Sequence, residues 1–353
     1  MTEYGVWPTE LTRTLTDCLD AIDEGNTVGA RELAERSVGL AVRAGPVALA
    51  NAVLVTGIVE QGTGDGTAAR CAYINAAHLV ARHLADPVAV QIYLHARSSL
   101  AGLHRDRGDC RQAERVLELT LAAAVVHQTV PSRDLAMLHN ELGVVSKYLG
   151  KFDQAARSYR QALDLLGDLP SPAPADLATI WHNIGGLAHA RGDYGAAEAP
   201  ARCAVALRVQ ALGLHHPAVA TDRAALAPIL LELGQLDEAE ALLCDALGIF
   251  ESAYGADNPN YAIALGNLAT LTHQRGDHTA ADVRYRQALT VLERALGPNH
   301  PDLAAILVNY AALRRALADP ETAEALEPRT RAILTTVVQP DHPTLATLTS
   351  NAP

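Results

Sequence analysis

Residues 258–299 read NPNYAIALGNLATLTHQRGDHTAADVRYRQALTVLERALGPN, and this stretch decides the fold. Tyr261 to Gln274 carries apolar residues at helical spacing, and Arg275-Gly276-Asp277 breaks the run. A second helical run goes from His278 to Leu296, where Gly297-Pro298-Asn299-His300-Pro301 stops it and opens another. Glycine accepts the backbone turn that ends a helix. Proline suits the first turn of the next helix and cannot continue the old ladder. The stretch predicts two antiparallel helices joined by a short turn.

The same grammar recurs every 42 residues, at Leu212-Gly213 through His216-Pro217 and at Tyr254-Gly255 through Asn258-Pro259, and Pro217, Pro259, Pro301 and Pro343 keep the step. Ala101, Gly143, Gly185, Ala227, Ala269 and Ala311 share one phase of the first helix. Breaks follow at Gly108, Gly150, Gly192, Gly234, Gly276 and Ala318, then Ala113, Ala155, Ala197, Ala239, Ala281 and Ala323. A period of this size predicts an all-α solenoid of helix pairs, each stacked on its neighbours. Helices approach closely only where a methyl group or hydrogen faces the crossing. Leu142, Ile184, Leu226 and Leu268 fill one flank of that crossing, while Ala162, Ala204, Ala246 and Ala288 keep register in the second helices. Tyr159 and Tyr285, three residues before two of these alanines, share their helical face and are expected in the core.

Earlier in the chain the pattern is degraded. Leu19 to Gly25, Ala30 and Arg31 to Val42 suggest a turn and a second helix. Ala48 to Glu60 and Thr67 to His83 suggest another pair, connected by Gly62 to Gly66. About eight pairs are expected. The domain reading is divergent repeats over 1–86, regular repeats over 87–343, and a tail or capping fragment over 344–353. Pro170 to Pro174 is a longer connection inside the array.

Composition narrows the function classes. Aromatics are only 4% of a chain that is 49% hydrophobic, so alanine and leucine must build the core, which suits close-packed helices. The net charge of -12 argues against direct binding of nucleic acid or acidic membranes. Cys18, Cys71, Cys110, Cys203 and Cys244 are odd in number and widely spaced, as expected of reduced thiols in a cytoplasmic protein. Neither a signal peptide nor a membrane-spanning run is expected, and the apolar Leu121 to Val126 fits a buried helix face.

Asn267-Leu268-Ala269, Gly276, Ala280-Ala281, Tyr285-Arg286-Gln287-Ala288-Leu289, Leu296-Gly297 and His300-Pro301 resemble the tetratricopeptide repeat in its 42-residue form, as in kinesin light chain. The resemblance spans Leu135 to Pro343 well and Pro87 to Val130 less closely. It implies a right-handed superhelix whose first helices line a concave groove for a peptide or partner protein.

Placed on that architecture, two ladders are candidate contacts. Four residues after each small residue of the first helix stand Arg105, Lys147, His189, Leu231, His273 and Arg315. A basic stripe in an acidic chain would attract an acidic peptide or a terminal carboxylate. The bland reading is that these side chains cover helix surfaces and pair with Asp or Glu. The second ladder is Asn183, Asn267 and Asn309, with Glu141 at the same phase, a break at Ala225, and Asn140 and His182 alongside. Asparagine both donates and accepts, so it can hold a peptide backbone or fix repeat geometry with an interhelical bond.

Other chemistry is thinly represented. His182 and His189 are seven residues apart without a carboxylate cluster, so no metal is expected. His215-His216 and His300 sit at repeat boundaries, where histidine can cap the preceding helix or pack on the following proline. No phosphate loop, dinucleotide turn or nucleophile elbow is present, so no catalytic residue or cofactor is expected. Arg223 is notable because it replaces the apolar residue found at Trp181, Leu265 and Leu307; beside Asp222, it is either a ligand-recognition residue or half of a surface pair.

The leading expectation is a noncatalytic binding module with its main site within Ala136 to Ala316. The alternative is a small-molecule sensor or unusual enzyme built on the same solenoid. Exposed apolar end repeats also leave a homodimer open.

Overall fold

The computed structural model describes residues 7–23, 25–126 and 130–337. Among them are sixteen α-helices and no strands. They run as α1 (Thr9–Asp23) with α2 (Thr27–Ala41), α3 (Pro46–Gly62) with α4 (Gly66–Val80), and α5 (Pro87–Asp106) with α6 (Cys110–Val126). Then come α7 (Ser132–Tyr148) with α8 (Phe152–Gly167), and α9 (Pro174–Ala190) with α10 (Tyr194–Leu212). The last pairs are α11 (Pro217–Glu232) with α12 (Leu236–Tyr254), α13 (Pro259–Gln274) with α14 (His278–Leu296), and α15 (Leu303–Ala316) with α16 (Pro320–Val337). Eight pairs are therefore present. Pro343 and the expected tail at 344–353 lie outside the described residues.

Two compact units share these helices, Met1–Leu142 and Gly143–Pro353. In the second unit each helix from α8 onward packs on the next, and first helices of successive pairs also touch, α9 with α11, α11 with α13 and α13 with α15. The first helices thus form a continuous layer within this unit. In the first unit α1 touches α3 and α3 touches α5 in the same way.

The small-residue columns occupy the core as their spacing predicts. Ala227, Ala269, Ala155, Ala197, Ala239 and Ala281 are fully buried, as are Tyr159 and Tyr285. Gly143 shows why the column must stay small. A Cβ built there would lie 2.4 Å from Tyr159 Cε1. At the pair boundaries Gly213, Gly255 and Gly297 end α10, α12 and α14 with φ of 83°, 79° and 88° and ψ near 160°. That region is closed to side chains, which is why glycine recurs at this step.

Two expectations fail here. Leu121 to Val126 is not a buried face: Ala124 is buried, but Val125 and Val126 are exposed. The buried stripe of α6 is Ala113, Val116, Leu117, Thr120 and Ala124, and a helix turning 100° per residue cannot keep a continuous apolar run on one side. Capping of the preceding helix, one of the two readings for the boundary histidines, fails at His216, which caps the helix that follows. His216 Nδ1 accepts the Ala218 N–H at 3.1 Å at the start of α11, as Asn258 Oδ1 accepts the Asn260 N–H at the start of α13. His300 Nδ1 likewise accepts the Asp302 N–H, at 3.3 Å. At α11 the imidazole stands in for the usual capping side-chain oxygen, whereas the N-cap of α15 is Asp302.

Pair-to-pair contacts are fastened by arginines at a fixed register. Arg191, just before its turn glycine, reaches Asp153 at 2.7 Å, and Arg275 reaches Asp237 at 2.5 Å, both 38 residues back. Exposed pairs of this kind contribute little each, but they set register. No described helix is long and apolar enough to cross a membrane.

Candidate functional site

The layer of α9, α11, α13 and α15 carries most of the candidate residues. Asn267 Nδ2 donates to the Ala224 carbonyl at 3.2 Å, crossing from α13 to α11. Asn309 Nδ2 donates to Thr270 Oγ1 at 3.2 Å, from α15 to α13. In the first unit Glu141, at the same phase, accepts from Arg105 Nη1 at 2.7 Å. This phase is therefore a link between successive first helices. Asn267 and Asn309 are half-buried, and no described residue takes their amide oxygens. Asn183 is half-buried on α9, and Asn140 is buried on α7.

The Asn267 bond has a local cause. Pro228 lies inside α11 and has no N–H, so the carbonyl four residues earlier, that of Ala224, loses its helical partner. Asn267 supplies the missing donor from the next repeat.

The basic ladder is not a row of free cations. Arg105 is held by Glu141 and by Asp106 at 3.2 Å, and Arg315 is paired with Glu327. Burial outweighs Arg105 at Glu141 and holds that carboxyl above its ordinary pKa. His189 is pushed below the usual histidine range by burial and then by Lys147, and His273 by burial and then by His278. Each ring meets another edge-on across the turn, His189 with Tyr194 at 5.4 Å and His273 with His278 at 5.2 Å. Leu231, at the same phase, is buried.

A buried polar network joins α9, α10 and α11. Asp222 is 2% exposed; its Oδ1 faces His182 Nδ1 at 2.8 Å, and its Oδ2 accepts from Arg208 Nε at 2.9 Å. Arg208 Nη1 also donates to the Ala175 carbonyl at 3.1 Å and Thr179 Oγ1 at 3.2 Å. An ionised carboxylate can only accept, so in this contact His182 Nδ1 is the donor. Asp222 and Arg223 are consequently not a surface pair: Asp222 points into the core, whereas Arg223 faces Asp245 at 3.7 Å and the Leu214 carbonyl at 3.4 Å.

Neither Arg208 nor the burial of Asp222 is evident from ladder reasoning, yet a signal exists. Asp222 stands in the column of Ile180, Ala264 and Ile306, and Arg208 in that of Leu166, Phe250 and Leu292. All six of those residues are buried. Two polar replacements in apolar columns on adjacent helices mark a compensated pair.

The tetratricopeptide-repeat profiles match residues 138–173 in one form and 176–252, 229–294 and 272–336 in another, together more than half of the chain. The chain belongs to the tetratricopeptide-repeat family. No curated protein matches it by sequence. Among solved structures, the apo form of the quorum sensor NprR from B. thuringiensis is similar over 92% of this chain and 87% of its own, at 13% identity and a TM-score of 0.64. A Rap protein complexed with Competence and Sporulation Factor is similar over 97% of this chain and 96% of its own, at 12% identity and a TM-score of 0.61. The apo form of RapI covers 92% and 86%, at 12% identity and a TM-score of 0.58. At such identities the likeness is one of fold. The first-helix layer of the second unit is partly tied together by its own asparagines.

Proposed function

We propose that this tetratricopeptide-repeat protein is a noncatalytic scaffold that docks an extended peptide or a segment of a partner protein along the first helices of its second unit. The observation that carries the proposal is the α9–α11–α13–α15 layer, in which Asn267 and Asn309 are each anchored by one amide donor and keep an unclaimed carbonyl oxygen. Such oxygens are pre-positioned acceptors for peptide N–H groups, and anchoring lowers the entropy lost on binding. Lys147, His182, Asn183, His189, His273 and Arg315 belong to the same set of helices or to α7. The fold likeness to a quorum sensor and to a Rap protein complexed with a factor supports a binding role.

The partner we infer is acidic or ends in a carboxylate. Lys147 supplies a cation, and His189 and His273, neutral at pH 7, add charge as the pH falls. Affinity for an acidic peptide should therefore rise on acidification and fall with salt. Arg315 contributes only by exchanging Glu327 for the ligand's carboxylate.

A peptide selected from a random library against the intact protein tests this. Alanine at Asn183 and Lys147 should weaken it by about tenfold, or about 1.4 kcal/mol, with unchanged unfolding midpoints. Weakened stability with unchanged affinity would assign these residues to the scaffold alone.

A further inference from the structure

Arg223 stands in a column that is apolar at its neighbouring repeats, at Trp181, Leu265 and Leu307, and polar earlier, at Arg97 and His139. Its side chain is only 12% exposed, yet it is not gripped as Arg208 is. Among the described residues its partners are the Leu214 carbonyl at 3.4 Å and Asp245 at 3.7 Å. A guanidinium has five N–H donors, and buried ones normally find acceptors. Here they border a cleft of about 1020 Å³, measured out to its open mouth.

A second departure from the repeat lines the cleft. Gly248 on α12 stands where α10 has Ala206 and α14 has Thr290, and a Cβ built on it would meet nothing within 4 Å. Leu214, Ile249 and Ala253 supply apolar wall beside the charged pair. A purely structural arginine would be matched by a closer carboxylate. This one keeps open space in front of it.

We propose that this cleft binds a free α-amino acid with an aliphatic side chain. The carboxylate would take the Arg223 guanidinium in a two-pronged contact, which suits arginine better than lysine. The ammonium would take Asp245, and the side chain would lie on Leu214, Ile249 and Ala253. Asp245 decides against a simple anion, because it sits beside the guanidinium and repels one. In a zwitterion the carboxylate and the ammonium are attached to one carbon, so they can meet the adjacent Arg223 and Asp245 side chains, 3.7 Å apart, together. The site lies between α11, α12 and the connection before α11, and it stands independently of the peptide-docking proposal.

Titration calorimetry of the intact protein with L-leucine, N-acetyl-L-leucine and L-leucine methyl ester tests the assignment. L-leucine should bind, and each derivative, lacking one charge, should bind at least about tenfold more weakly. Arg223→Leu restores the residue type found at 265 and 307, so it should keep or raise the unfolding temperature while abolishing leucine binding. Arg223→Lys should weaken binding by about tenfold. Asp245→Asn should remove the preference for leucine over its N-acetyl derivative. Absence of leucine binding, equal binding by Arg223→Leu, or N-acetyl-leucine binding as tightly as leucine would each overturn the proposal.

Discussion

Asn267 completes the hydrogen bonding that Pro228 leaves open: its Nδ2 lies 3.2 Å from the Ala224 carbonyl, which has no N–H four residues ahead of it. One repeat thus repairs the helix of the repeat before it. Asn267→Ala should cost about 1–2 kcal/mol, because it strands a carbonyl in a half-buried layer. In a Pro228→Ala background the new N–H takes that carbonyl, and the same substitution should cost about 1 kcal/mol less. Urea unfolding of the four proteins measures the difference; equal costs in both backgrounds would dissociate the two residues.

The Asp222 network makes a second prediction. Asp222→Ala leaves Arg208 and His182 without their shared acceptor in the core, and should destabilise the second unit by about 3–5 kcal/mol. Replacing the pair together, Asp222→Ile with Arg208→Leu, installs the residue types of those columns and should recover most of the loss. A double variant no more stable than Asp222→Ala alone would show that the network is not a compensated swap.

Acidification should destabilise the fold through its histidines. His139, His189 and His273 all titrate below the ordinary value of 6.5 because burial disfavours the charged ring. Unfolding releases them to about 6.5, so the unfolded chain binds more protons than the native one just below that pH. Their contribution is fully present above about 6.5 and is lost as the pH falls through the lower native values. Melting temperatures between about pH 7.5 and 5.5 should fall, and less steeply for a His139→Gln, His189→Gln variant. Parallel curves would remove these rings from the acid response.

Two glycines should respond oppositely to alanine. Gly143→Ala drives a methyl group into Tyr159 Cε1 and should cost about 1–3 kcal/mol. Gly248→Ala faces open space and should be neutral, or stabilising by up to about 1 kcal/mol from helix propensity. Thermal melts compare them directly.

The repeat itself was legible because steric demand is periodic. Ala155, Ala197, Ala239 and Ala281 face the same crossing in successive pairs, so one column reports one contact. The candidate site was less legible because its chemistry lies in departures from the period. Arg208 and Asp222 lie on adjacent helices, and only the structure shows that each answers the other. The charge of the basic ladder also depends on neighbours far along the chain: Glu141 lies 36 residues from Arg105, and no spacing rule within one helix reveals it. Val125 and Val126 are exposed for a simpler reason: a continuous apolar run in a helix does not make one face.

The central claim is that the first-helix layer of the second unit receives the partner. Photo-crosslinking tests it most directly, with a benzophenone carried at successive positions of a peptide selected against the intact protein. The account predicts crosslinks on α9, α11, α13 and α15, at and around Asn183, Asn267 and Asn309, and their loss when unlabelled peptide competes. Crosslinks confined to α10, α12 and α14, or to the first unit, would contradict it.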